Sequence, residues 1–185
     1  VIVCPHCGYG ALSRFFSYMT THQAKLIHDN ISVNFKGLAP TGDTYTYDDA
    51  ITRYKLALLN TVVKKAKVSE RAYTCLKLAW LYRGKAENLK PDEADYAKKK
   101  EECAKAEKEM LANAYEGFMM SVSKENFPIC GMDETTLDYL MANLAKQIGR
   151  IDEASRIVSR ILVSKTANPK IKDKARDLKE SLKTK

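Results

Sequence analysis

No apolar run in this sequence approaches the roughly 18 residues that a membrane-spanning helix needs, and no basic-then-apolar leader opens it. The expectation is a soluble protein without a membrane partner. Glycine-rich phosphate loops and nucleophile motifs are absent too, so no residue constellation identifies a reaction. Strand-like alternation is nearly lacking. Cysteine is sparse and odd in number: of five, Cys75, Cys103 and Cys130 stand alone on helix-like segments, which is not a disulfide framework. A reducing cytoplasm is the expected compartment. There is no second C-x-x-C, and no initiator Met precedes Val1.

What is present starts with Cys4-Pro5-His6-Cys7-Gly8-Tyr9. Two thiolates separated by two residues grip one side of a tetrahedral Zn²⁺, and glycine after the second lets the knuckle turn back. A closed structural site needs four ligands, so the pair is half of one. Because Val1 lies directly before it, the chain reads as a fragment whose missing N-terminal part carried the other two. Zinc is thus a candidate cofactor of the full-length protein, its site absent or incomplete in the present chain. One internal completion exists on paper. His22 follows Cys7 after fourteen residues and His28 follows after five more, the spacing of a C-x₂-C…H-x₅-H finger. On a regular helix those two histidines stand about 120° apart, so the helix would have to break between them. A redox role for Cys4 and Cys7 calls for a strand before the motif and a helix N-terminus at the first thiol, and strand signals are scarce here.

Hydrophobic residues make up 45% and charged residues 29%, an ordinary globular balance, and 185 residues suit one domain with a small appendage. The net charge of +8 is unevenly spread. From Ser164 to Lys185, eight Lys/Arg against Asp173, Asp177 and Glu180 contribute +5. Lys170, Lys172, Lys174, Arg176 and Lys179 on that segment are candidates for phosphate contact, as on a nucleic acid. The alternative is a solvated last helix with lysine favoured near its negative end.

Apolar spacing predicts a helix over 11–28, on Leu12, Phe15, Phe16, Met19, Ala24 and Ile27. Asn30, Asn34, Gly37, Pro40 and Gly42 mark 29–47 as an irregular linker, with 44–47 alternating like a short extended piece. From Asp48 onward the chain reads as helix after helix. One carries Ala50, Ile51, Tyr54, Ala57, Leu58 and Val62; a second, N-capped by Ser69, carries Ala72, Cys75, Leu76, Ala79 and Tyr82. Pro91-Asp92 opens a long helix to about Val122. Its first half, beginning at Glu93, is charged and solvated; its second half packs through Met110, Leu111, Ala114, Tyr115 and Phe118. The mixed Glu/Asp and Lys along the first half are a salt-bridge-laced face, not an acid/base pair. Asp133 caps the next helix, Gly149 ends it, Ile151–Val163 is its partner, and Asn168-Pro169 precedes the basic last helix.

Residues 136–169 resemble a tetratricopeptide repeat. Met141-Ala142-Asn143-Leu144-Ala145, Gly149, Asp152-Glu153-Ala154 and Pro169 carry that likeness, and Leu78-Ala79-Trp80-Leu81-Tyr82 echoes it earlier. The whole chain more closely resembles a family of bacterial proteins known as a domain of unknown function, which joins a zinc-ribbon-like head to a tetratricopeptide-like body. Val3 through Ala11, Tyr54-Lys55-Leu56-Ala57-Leu58, Leu78 through Arg83, and Phe127 through Leu140 carry this resemblance. In that family an earlier C-P-x-C pair precedes the one seen here. The resemblance implies a fold and brings no activity.

The expected fold is therefore all-α: antiparallel helical hairpins in a tetratricopeptide-like right-handed solenoid. The partial zinc-ribbon knuckle and its helix occupy 1–28, the linker 29–47 and the helical domain 48–185. The repeat's register implies a concave groove lined by Tyr73, Leu76, Trp80 and Arg83 from one hairpin and by Tyr139, Asn143 and Lys146 from the next. Such groups on rigid helices suit a protein or peptide partner; equally, Trp80 and Tyr139 are candidate core anchors. The leading expectation is a non-enzymatic interaction module. The alternative is a nucleic-acid-associated protein using the head and the basic tail.

Overall fold

The first residues close a hairpin. Strand β1 (Ile2–Val3) pairs antiparallel with β2 (Gly10–Ala11), Ile2 opposite Ala11 and Val3 opposite Gly10. The computed structural model describes residues 1–92 and 94–183. Seven α-helices follow the hairpin among them: α1 (Thr21–Asn30), α2 (Tyr47–Val63), α3 (Val68–Asn88), α4 (Tyr96–Lys124), α5 (Glu134–Gln147), α6 (Ile151–Val163) and α7 (Pro169–Lys183). Glu93 and Lys185, counted above in charged stretches, lie outside the described residues, as does Thr184. The molecule is predominantly helical, as expected.

Local chemistry fixes the helix ends. Thr20 with Gln23 and Thr46 with Asp49 form reciprocal capping boxes at α1 and α2. Asp133 accepts the Thr136 N–H at the start of α5, which holds its carboxyl below the usual range. Gly149, at φ +86°, makes the reversal between α5 and α6 that a residue with a side chain resists.

Helices α3 and α4 form the longest hairpin and approach closely where Gly117 faces Ala72; a Cβ on Gly117 would sit 2.7 Å from that of Ala72. One core runs from this hairpin through α5 and α6 to α7, with Leu76, Leu111, Phe118, Leu137, Met141, Leu144, Val158 and Leu178 buried in it. Lateral links join alternate helices. Arg83 of α3 reaches Gln147 of α5. Lys174 of α7 lies over the Tyr139 ring of α5, and Lys146 donates to the Ser181 hydroxyl at 2.8 Å. Both α5–α7 contacts join residues 35 apart in sequence, so those two helices run in the same direction. Arg14 ties α3 to the chain before α5 at the opposite end, through the Tyr73 ring and the Cys130 carbonyl. Helices α3, α5 and α7 therefore stand side by side and parallel.

Several elements differ from what the sequence predicts. The helix expected over 11–28 begins only at Thr21. Residues 13–15 form a 3-10 turn instead, because Tyr9 stacks on Phe16 and donates its hydroxyl to the Phe16 carbonyl, keeping this segment as a cover on the hairpin. The stretch 29–47 is less irregular than expected: Asn30 ends α1, Ser32–Asn34 make another 3-10 turn, and Tyr47 opens α2 instead of ending an extended piece. Ser69 does not cap α3. Its N–H and hydroxyl both donate to the Glu125 carboxylate from the end of α4, and Lys67 takes the cap position without a side-chain bond. The long helix starts at Tyr96, after Asp95 turns at φ +59°. On α2, Val62 lies outside, while Arg53, Asn60 and Thr61, and Lys64 at its C-terminal end, are buried. Cys103, placed by its charged neighbours on a solvated face, is buried.

Candidate metal half-site and partner face

Cys4 and Cys7 occupy the turn between β1 and β2. The Cys4 N–H donates to the Tyr9 carbonyl at 2.8 Å and the Gly8 N–H to the Cys4 carbonyl at 3.1 Å, closing a knuckle around Gly8 at φ +73°. A side chain at Gly8 is excluded twice over, by that φ and by the Phe35 ring, 2.7 Å from where a Cβ would stand. The N–H groups of Cys7 and His6 point at the Cys4 sulfur and hold its thiol below the usual range. Burial pushes the Cys7 thiol up, opposed by the Tyr9 N–H. Backbone N–H groups aimed at sulfur stabilise thiolates, the form that binds a metal. Two thiols in one turn are donors of the kind that a tetrahedral thiolate site uses. Among the described residues no group of three or more His, Cys, Asp or Glu converges on a common point, so neither His22 nor His28 joins the pair; His28 sits 3.0 Å from Asp29. Cys4 lies in a hairpin turn and not at a helix N-terminus.

The knuckle is fastened to the helices. Asn60, fully buried on α2, donates from Nδ2 to the Gly8 carbonyl at 2.9 Å and to the Leu56 carbonyl at 2.9 Å. Ser32 donates to the Cys7 carbonyl at 2.8 Å. Below Tyr9, the Lys64 ammonium lies 2.7 Å from Glu70 Oε1 and 5.7 Å from the Tyr9 ring centre. Lys64 is only 2% exposed. Sequence reasoning missed this fastening. Arg53, Ala57, Asn60 and Lys64 recur at spacings of four, three and four, the rhythm of a buried helix face, but three of the four are polar and a search for apolar stripes passes over them.

The seven groove candidates fall on α3 and α5. Trp80 is 43% exposed, so it is no core anchor; Tyr73 and Tyr139 are half-buried against the main core. Arg83 is neutralised by Glu107 of α4, which Nε meets at 2.7 Å, and also holds Gln147. Asn143 donates back to the Tyr139 carbonyl at 2.8 Å. Leu76, assigned to the groove by register, is buried instead. Two residues that the register did not supply complete this face. Lys77 lies 4.3 Å from the Trp80 ring centre and 5.2 Å from that of Tyr73. Arg14, from the 3-10 turn, lies 5.7 Å from Tyr73.

The basic helix α7 is amphipathic. Ala175 and Leu178 are buried, Lys174 turns toward α5, and Lys170, Arg176 and Lys179 are exposed, with Lys172 half-buried. Arg176 pairs with Asp173. The cations are thus divided between two sides of the helix. A separate surface cleft of about 340 Å³ lies between α4 and α6. There the Tyr115 hydroxyl donates to Glu153, and burial followed by that carboxylate pushes its phenol up to about 12, far from the range of a base at neutral pH.

A family described as "Uncharacterized protein conserved in bacteria (DUF2225)" matches residues 1–182. No curated protein and no solved structure matches the chain.

Proposed function

Since the chain belongs to this family of uncharacterized bacterial proteins, we propose its role from its surface: a non-enzymatic, cytoplasmic interaction scaffold whose α3–α5–α7 face receives a protein or peptide segment. The helices are read as a tetratricopeptide-like right-handed solenoid, with α3, α5 and α7 as the first helices of successive hairpins. The observation that carries the reading is the exposed Trp80, set with Tyr73 and Tyr139 on parallel, laterally bonded helices. Rigid aromatic groups on an exposed face are the usual energetic centres of protein interfaces. In the same reading Cys4 and Cys7 supply two thiolates of a zinc-ribbon head.

The test is affinity capture of the full-length protein from its host, with metal analysis on the same sample. Wild type is expected to retain a protein that Trp80→Ala/Tyr139→Ala loses and Met119→Ala, on α4, keeps. Zinc is expected in a chelator-free preparation and is lost on Cys4→Ser. Identical capture by all three proteins overturns the groove, and a zinc-free wild type overturns the head. The nucleic-acid alternative rests on the α7 cations. It predicts binding that weakens steeply with salt, with a slope reduced by neutralising Lys172, Lys174 and Lys179.

A further inference from the structure

We propose that the segment received on the α3–α5–α7 face is an acidic, extended peptide; the inference rests on the scaffold reading above and names its ligand. Five cations line this face; Arg83 pairs with Glu107, and among the described residues the other four pair with no carboxylate. Arg14 is held by the Cys130 carbonyl and the rings of Phe15 and Tyr73. Lys77 spans the rings of Tyr73 and Trp80. Lys146 has the Ser181 hydroxyl, and Lys174 the Tyr139 ring. Away from this face several cations at element contacts meet carboxylates, Lys64 with Glu70, Lys85 with Asp48, Arg150 with Glu116 and Arg160 with Asp138, while Lys55 lies over the Tyr82 ring. The difference is chemical. A cation over an aromatic ring is positioned by the ring yet keeps its ammonium protons for a further acceptor, and that acceptor must be anionic to neutralise it.

Helical periodicity places Glu87 and Asp177 toward the same side of α3 and α7, which still leaves cations in excess. Arg14 and Lys77 share the Tyr73 ring in the first half of α3, Lys174 of α7 lies by Tyr139 in the first half of α5, and Lys146 stands near the end of α5, so the charges are spread over three helices and not gathered in one cluster. Separated cations suit several carboxylates on an extended chain, with the exposed Trp80 offering apolar contact. Single-stranded nucleic acid fits less well. Its affinity draws on bases stacking on free aromatic faces, and here a lysine or arginine already covers Tyr73, Trp80 and Tyr139.

Trp80 is the chain's only tryptophan, so its fluorescence reports this face alone. The probe is a synthetic peptide rich in Glu and Asp with interspersed Leu, titrated at low salt against the same peptide with Gln and Asn. The acidic peptide is expected to shift the emission saturably and the amide peptide is not. Lys77→Gln/Lys174→Gln, checked for unchanged helix content by circular dichroism, is expected to weaken binding about tenfold. Four results overturn the proposal: equal response to both peptides, no response to the acidic one, full affinity in the double variant, or tighter binding of an oligothymidine than of the acidic peptide. Host capture that still depends on Trp80 and Tyr139 while the peptides fail this test would leave the scaffold reading standing and remove only the acidic ligand. Loss of both would remove the scaffold reading as well.

Discussion

At the scale of single residues, the telling pair is Lys64 with Glu70. Both are buried where the hairpin meets α2 and α3, and each is the other's only ion-pair partner among the described residues. Removing one charge strands the other in a poorly solvated place, at a cost of about 3–5 kcal/mol, whereas replacing both by apolar groups of similar volume is close to neutral. Lys64→Met is therefore expected to lower the urea midpoint sharply, and Lys64→Met/Glu70→Leu to recover most of the loss. A double variant as unstable as the single one would show that the pair is not the reason these residues are buried. No reading of apolar periodicity singles out such residues. Lys64 looks like a surface lysine until the knuckle that covers it is placed. The turn at Gly8, in contrast, was legible, because glycine has a conformational reason to stand at φ +73°.

Among the helices and their junctions, two expectations follow from geometry. Gly117 lies inside α4, where alanine is ordinarily favoured by about 1 kcal/mol. At this site a Cβ would fall 2.7 Å from the Ala72 Cβ and 3.3 Å from its Cα, and backbone cannot rotate away. Overpacking of this kind costs about 1–3 kcal/mol, so Gly117→Ala is expected to destabilise the protein; a raised thermal midpoint would contradict the close α3–α4 approach. Asp133 tests the start of α5. Its folded carboxyl titrates below its ordinary value because the Thr136 N–H bonds the ionised form. That contribution is fully present above the ordinary aspartate value and lost as pH falls through the lower folded value. Asp133→Ala is expected to cost about 1 kcal/mol at neutral pH, with the difference from wild type narrowing in acid. Urea titrations at the two pH values check this, and an unchanged difference would contradict the cap. The bounds of α5 and α6 were legible because Asp133 and Gly149 mark them by unambiguous chemistry. Ser69 misled because a good capping residue is also a good donor to a distant carboxylate, here Glu125, and only the fold decides between them.

For the molecule as a whole, the sequence revealed a helical body and a cysteine turn but not how they join. Segment 29–47 read as a linker because nothing local orders it, yet Ile31 and Phe35 pack under the knuckle, and Arg14 carries the hairpin's cover across to Tyr73 and Cys130. Such long-range contacts leave no periodic trace. The helices that carry Tyr73, Trp80, Tyr139 and Asn143 were legible from apolar spacing, whereas the placing of Lys77 and Arg14 against the Tyr73 and Trp80 rings became visible only in the fold.

We propose that one face, made by α3, α5 and α7, meets the partner. A photo-crosslinking amino acid placed at Trp80 or Asn143 of the full-length protein in its host, and separately at Arg156 on α6, tests it directly. Discrete protein adducts are expected from the first two positions and none from the third. Adducts formed equally from Arg156, or from that position alone, would contradict it.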